Sequence, residues 1–128
     1  MKKEKYHLEY VFDRVSQDSL WRKLSTEDGL VEWFADGVMI EGDRIHFCWS
    51  DEDCSSATIS EVRSGEAIRF DWEDDPGTYM EFCIHTTELT GSRSLEITDF
   101  AESVERMIAI GLWDKQIDRL KHSLGVQH

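Results

Sequence analysis

A single proline, Pro76, interrupts a chain of 128 residues, and no glycine-, serine- or proline-rich stretch divides it. With no linker, low-complexity tract or internal repeat, one domain spanning residues 1–128 is expected. A chain of this length can bury roughly 68% of its extended surface, enough for a core without disulfides. No run of 18 apolar residues occurs, and no apolar stretch follows the lysines of Met1-Lys2-Lys3-Glu4-Lys5-Tyr6-His7. Neither a membrane span nor a signal peptide is therefore expected. Cys48, Cys54 and Cys83 are odd in number and form no C-x-x-C, which fits reduced thiols and a cytoplasmic location. A phosphate-cradling glycine loop, an H-E-x-x-H helix and a Ser-His-Asp order are also missing, so nucleotide hydrolase, zincin and established hydrolase chemistry lack support.

Positive charge is scarce in one region only. Residues 36–102 hold 17 Asp and Glu against 4 Lys and Arg, whereas the other 61 residues hold 10 of each sign. The whole net charge of −13 thus belongs to the middle of the chain. Such a surface repels phosphate, which argues against nucleic acid and anionic bilayers and leaves a basic protein as the charged partner it would suit. A solvated face that resists aggregation explains the same acid without any partner.

What is present is a strict ordering of periodicities. Tyr6 to Asp13 alternates, with Tyr6, Leu8, Tyr10 and Phe12 on one face, and reads as a strand. Gln17 to Leu24 reads as a short helix capped by Ser16. Ser25-Thr26-Glu27-Asp28 then looks like the start of a second, carrying Leu30, Val31, Trp33 and Phe34 and stopping at Asp36-Gly37. From Val38 the period becomes two: Val38–Glu41 with Arg44–Trp49, Ser56–Val62 with Ala67–Glu73, and Thr78–Glu88 with Ser94–Phe100. Asp74-Asp75-Pro76-Gly77 is a turn between the fourth and fifth of these strands. Six strands in hairpin succession make an antiparallel meander, which the N-terminal strand can complete at seven. Ser103 to Leu124 is one long amphipathic helix, which must cover the sheet for either element to bury its apolar side.

The alternation assigns faces. Ile45, Phe47 and Trp49; Ile68, Phe70 and Trp72; Met80, Phe82 and Ile84; and Leu95 and Ile97 should face the helix. Arg69, Asp71, Glu73, Glu81 and Glu96 should face water. The pairs His46-x-Cys48 and Cys83-x-His85 use zinc-ligand residue types, but in a sequential meander their strands lie roughly 14 Å apart. Zinc–ligand bonds of about 2.0–2.3 Å cannot span that distance, so no metal site is expected.

Strand, two short helices, six-strand meander and long closing helix is the order of the helix-grip fold, and the chain resembles the START-like (SRPBCC) superfamily. Within it, Ser19-Leu-Trp-Arg-Lys-Leu24, Val31-Glu-Trp-Phe34, Arg69-Phe-Asp-Trp72 and Gly111-Leu-Trp-Asp-Lys-Gln-Ile-Asp-Arg-Leu120 resemble the activator-of-heat-shock-protein-ATPase homologues. Val15-Ser-Gln-Asp18 stands where that family often has a proline pair. The resemblance covers Tyr6 to Leu124. It implies an α+β fold with a seven-stranded curved sheet around the C-terminal helix, and a cavity between them of the kind used across the superfamily for apolar ligands. It implies no cofactor and carries over no catalytic residue.

Residue by residue, Tyr10, Trp49, Phe70, Trp72 and Phe82 from the sheet are expected to face Met107, Ile108 and Leu112 on the helix, with Trp33 and Phe34 closing one end. The same side chains would equally serve as plain core. A glycine inside a helix costs about 1 kcal/mol relative to alanine, so Gly111 asks for a reason: close approach to the sheet, or a bend that opens the cavity. Asp99 continues the inward phase of Leu95 and Ile97 and is the candidate for a general base, although strand ends at Asp99 and Glu88 favour solvated rims. Three functions follow: a module binding a small hydrophobic or aromatic ligand, a protein-interaction or co-chaperone-like domain without ligand, and a polyketide cyclase-like or hydrolase-like enzyme. A monomer and a homodimer are both compatible with the chain.

Overall fold

Alternating apolar residues dictate the framework, and a computed structural model describing residues 2–126 shows how they assemble. The expected domain bounds, 1 and 128, lie just outside the described residues. In chain order the elements are β1 (Glu4–Val11), α1 (Gln17–Ser25), α2 (Glu27–Val31), β2 (Gly37–Glu41), β3 (Arg44–Cys48), β4 (Cys54–Arg63), β5 (Ala67–Trp72), β6 (Tyr79–Thr86), β7 (Arg93–Ala101), a 3₁₀ turn (Ser103–Glu105) and α3 (Arg106–Ser123). One seven-stranded antiparallel sheet runs β1-β7-β6-β5-β4-β3-β2, so the N-terminal strand closes the meander by pairing with the last. A register shift between Ile59 and Glu61 bends β4, the usual effect of an extra residue on one strand of a pair. Gly42 supplies the positive φ of the β2–β3 turn and Gly77 that of the turn after Pro76.

The short helices start where their caps predict. Ser16 Oγ accepts from the Ser19 N–H at 3.1 Å, and Thr26 Oγ1 accepts from the Gly29 N–H at 2.9 Å. Their packing depends on Gly29: a Cβ there would lie 2.1 Å from the Arg22 carbonyl oxygen and 2.6 Å from Lys23 Cα.

The inward phase holds on every strand assigned to it. Ile45, Phe47, Phe70, Phe82, Leu95 and Ile97 are fully buried, Ile68, Met80 and Ile84 nearly so, and Trp49 and Trp72 are half-buried at the strand ends. Outward, Arg44 donates from two nitrogens to Glu73, each at 2.9 Å, and Arg69 pairs with Asp71 at 2.8 Å. β3 and β6 have β4 and β5 between them, which keeps His46 and Cys48 apart from Cys83 and His85.

Two expectations are corrected here. Cys48 and Cys54 form a disulfide, where reduced thiols were expected: they are register partners across β3 and β4, a proximity the spacing of cysteines alone does not reveal. Gly111 does not serve a close approach, because a Cβ on it would meet no atom within 4 Å. Among the described residues no helix is long and apolar enough to cross a membrane.

Candidate functional site

Aromatic side chains fill most of the space between the sheet and α3. Phe34, on the turn after α2, meets Phe47 edge-on at 5.0 Å and Trp49 at 5.6 Å, and stacks on Trp113 of α3 at 5.8 Å. Phe82 lies under both Phe34 and Trp113, and Phe70 sits between Phe47 and Phe82. Phe34 also ties the walls together through its backbone. Its carbonyl accepts from the Trp49 indole N–H at 2.8 Å and from Gln116 Nε2 at 3.1 Å, so the end of β3 and the middle of α3 share one acceptor.

Above this packed layer a cleft of about 510 Å³ remains. Trp49 and Asp53, at the two ends of the β3–β4 loop, form one wall with Trp72 at the end of β5. Ala109, Leu112, Lys115, Gln116 and Arg119 of α3 form the other. Phe34, Met80, Asp99 and Trp113 lie at its base. A larger hollow of about 730 Å³ lies between the end of β1 and the end of α3, bordered by Arg14, Lys121 and Val126. Phe12, just after β1, borders it, and it receives none of the inward aromatics of the meander.

Asp99 is the polar centre of the cleft base. One carboxylate oxygen accepts from the Trp113 indole N–H at 2.9 Å and from the Tyr6 hydroxyl at 3.2 Å; the other accepts from the Phe100 N–H at 2.8 Å. Burial pushes its pKa above the ordinary carboxylate value, and the three donors hold the rise in check. The Tyr6 phenol is also pushed up, by burial and by Asp99 beside it. Asp99 is not at a strand end, because β7 continues beyond it to Ala101, and it stands half-buried at the cleft. Glu88 and Thr86, the other polar residues of the inward phase, are exposed.

Of the residues proposed from sequence to meet a ligand, Phe34, Trp49, Trp72 and Leu112 line the cleft. Trp33, Phe70 and Phe82 do not; they are buried in the layer beneath, where the Trp33 indole N–H donates to the Lys23 carbonyl at 2.8 Å. Tyr10 stands outside the lining and donates its hydroxyl to Asp114 at 2.7 Å. Ile108 and Met107 point to solvent, 69% and 79% exposed, and Gly111 faces open space. Met80, Asp53, Ala109, Trp113, Lys115, Gln116 and Arg119 were missed as lining residues. Met80 belongs to the inward phase of its strand, and its position at the edge of the core is what alternation does not report.

The family model for the START-like superfamily domain matches residues 1–126. A protein of Bacteroides fragilis solved by solution NMR is 40% identical, with a TM-score of 0.68 over 96% of this chain and 92% of its own. The Aha1 dimer from Colwellia psychrerythraea is 17% identical, with a TM-score of 0.75 over 99% of this chain and 98% of its own. An AHSA1-like protein from Aeromonas hydrophila is 14% identical, with a TM-score of 0.70 over 93% and 90%. The latter two carry the name of the branch read from the sequence, and at these identities they share its fold. No curated protein matches the sequence.

Proposed function

We propose that this chain, which belongs to the START-like superfamily, binds a small apolar or aromatic molecule in the cleft between its sheet and α3. The supporting observation is a hollow of about 510 Å³ walled by half-buried Trp49 and Trp72 and by Leu112, which is 57% exposed. Small-molecule sites commonly enclose about 300–1,000 Å³ with mostly apolar walls and a few fixed polar groups. Covering apolar wall gains about 25 cal/mol per Å² removed from water, and aromatic rings give large contact area with little entropy to lose. A binding role is favoured over proton transfer because both Asp99 oxygens are engaged by protein donors. No cofactor is part of the proposal. A single domain over residues 1–128 is, and so is a cytoplasmic location.

A second reading rests on the N-terminal end of α3 and the turn before it. Val104, Met107 and Ile108 form an exposed apolar ridge beside an acidic body, which suits a protein partner, basic in character, or a second copy of this chain. Light scattering separates monomer from homodimer.

The ligand reading is tested by recording indole N–H signals in a nitrogen-15 NMR titration with 2-naphthol. The expected result is movement of the Trp49, Trp72 and Trp113 signals while Trp21, on α1, stays still. Uniform small shifts of all five indoles, or none, would refute it.

A further inference from the structure

We infer that the ligand of the cleft is an organic anion: an aromatic or alicyclic body bearing a carboxylate or similar group, which Lys115 and Arg119 meet at the mouth. The inference rests on the binding function proposed above and specifies the chemistry of the bound molecule.

Lys115 and Arg119 are four residues apart on α3, so they project from one side of the helix one turn apart, and both line the cleft. Both are exposed. Among the described residues neither has a carboxylate oxygen within ion-pair distance. Among the described residues Lys3, Arg22, Lys23, Arg44, Arg63, Arg69 and Arg106 each pair with an acid, so Lys115 and Arg119 belong to the half of the 14 bases left without such a partner, and they are the two that line the cleft. Two neighbouring cations left unpaired at an apolar opening form a local positive site, and the low-dielectric aromatic walls behind them strengthen what they hold.

Two acids share the cleft and would oppose an anion. Asp99 is turned into the base, both of its oxygens on the Trp113, Tyr6 and Phe100 donors. Asp53 stands on the loop wall beside Trp49, more than ion-pair distance from either cation. Arg119 and Lys115 thus offer free donors, whereas both oxygens of the deeper acid already accept from protein donors. A ligand with its ring against Trp49, Trp72 and Leu112 and its anionic end outward satisfies the donors without burying a charge.

The test uses three probes with one ring system: 2-naphthoate, 2-naphthol and 2-naphthylmethylammonium, titrated calorimetrically into the full chain at pH 7 and low salt. Naphthoate is expected to bind roughly tenfold more tightly than naphthol, the effect of one charge-assisted contact, with the ammonium weakest. In K115Q/R119Q, checked for an unchanged melting curve, the preference for naphthoate should fall to about twofold or less, and added salt should weaken naphthoate binding in the wild type. Equal binding of naphthol and naphthoate, tighter binding of the ammonium, or a preference that survives K115Q/R119Q would overturn the anion inference while leaving the cleft as a binding site. Failure of all three probes to bind the wild type would overturn both.

Discussion

The indole N–H of Trp113 donates to Asp99 at 2.9 Å, and this bond fastens α3 to β7 across the base of the cleft. The Tyr6 hydroxyl reaches the same carboxylate oxygen from β1, so the first strand, last strand and closing helix converge on one side chain. Trp113→Phe keeps the ring and removes the donor. It should lower stability by about 1 kcal/mol in urea unfolding, the net value of one hydrogen bond, because the Tyr6 hydroxyl still donates to that oxygen.

The pKa of Asp99 also sets a pH dependence. Burial raises its folded value above the unfolded one, so between the two values the folded state holds more protons. The contribution of Asp99 to stability is therefore greatest below the unfolded value and declines as pH rises through the raised folded value. Melting temperatures of the wild type and Asp99→Asn across the acidic range check this. The difference should shift in favour of the Asn variant as pH rises through that window, and a pH-independent difference would contradict it.

Two glycines should respond with opposite signs to alanine. At Gly111 a Cβ meets open space inside a helix, so Gly111→Ala should stabilise by about 1 kcal/mol. At Gly29 a Cβ would strike the backbone of α1, and Gly29→Ala should destabilise toward the upper end of the usual overpacking cost of about 1–3 kcal/mol. Thermal melts of both variants measure the two effects.

The Cys48–Cys54 bridge closes the loop that carries Trp49 and Asp53. Unfolded protein assayed without reductant should show one reactive thiol, from Cys83, and three after reduction. Cys48→Ser should cost about 2 kcal/mol under oxidising conditions, the loop-closure value for so short a loop. It should also weaken 2-naphthol binding, because one wall of the cleft is loosened.

Leu112 and Ile108 lie on the same side of α3 one turn apart, but only Leu112 reaches the cleft; Ile108 is a turn further toward the helix N-terminus and exposed. Leu112→Glu should reduce naphthol binding by roughly tenfold or more, since it places a charge on an apolar wall. Ile108→Glu should leave that binding within about twofold, because Ile108 is outside the lining. The same calorimetric titration reads both variants.

Most of the fold was legible because its signals are local. Ser16 and the Thr26 cap mark the helix starts, Gly42 marks a hairpin, and period-two apolar residues such as Ile45 and Phe47 identify the buried face. The azimuth of α3 was legible in principle from its own anchors. Trp113, Ile117 and Leu120 are buried, and Ala109, four residues before Trp113, shares their side at about 40° from it. Ile108 and Gly111 both lie outside the lining. Long-range relationships were less accessible. The pairing of Cys48 with Cys54 depends on register, and the burial of Asp99 depends on a tryptophan fourteen residues away that covers it. Which aromatics line a cleft and which pack beneath it is decided by depth, and sequence alternation reports side without depth.

The central claim is that the cleft under α3 holds a small molecule, and native mass spectrometry of protein gently extracted from cells tests it most directly. The account predicts a bound species of small mass on the wild type that is released by mild activation and absent from the Trp72→Glu variant. A wild-type mass equal to that of the bare chain, together with no adduct after incubation with the naphthyl probes, would contradict it.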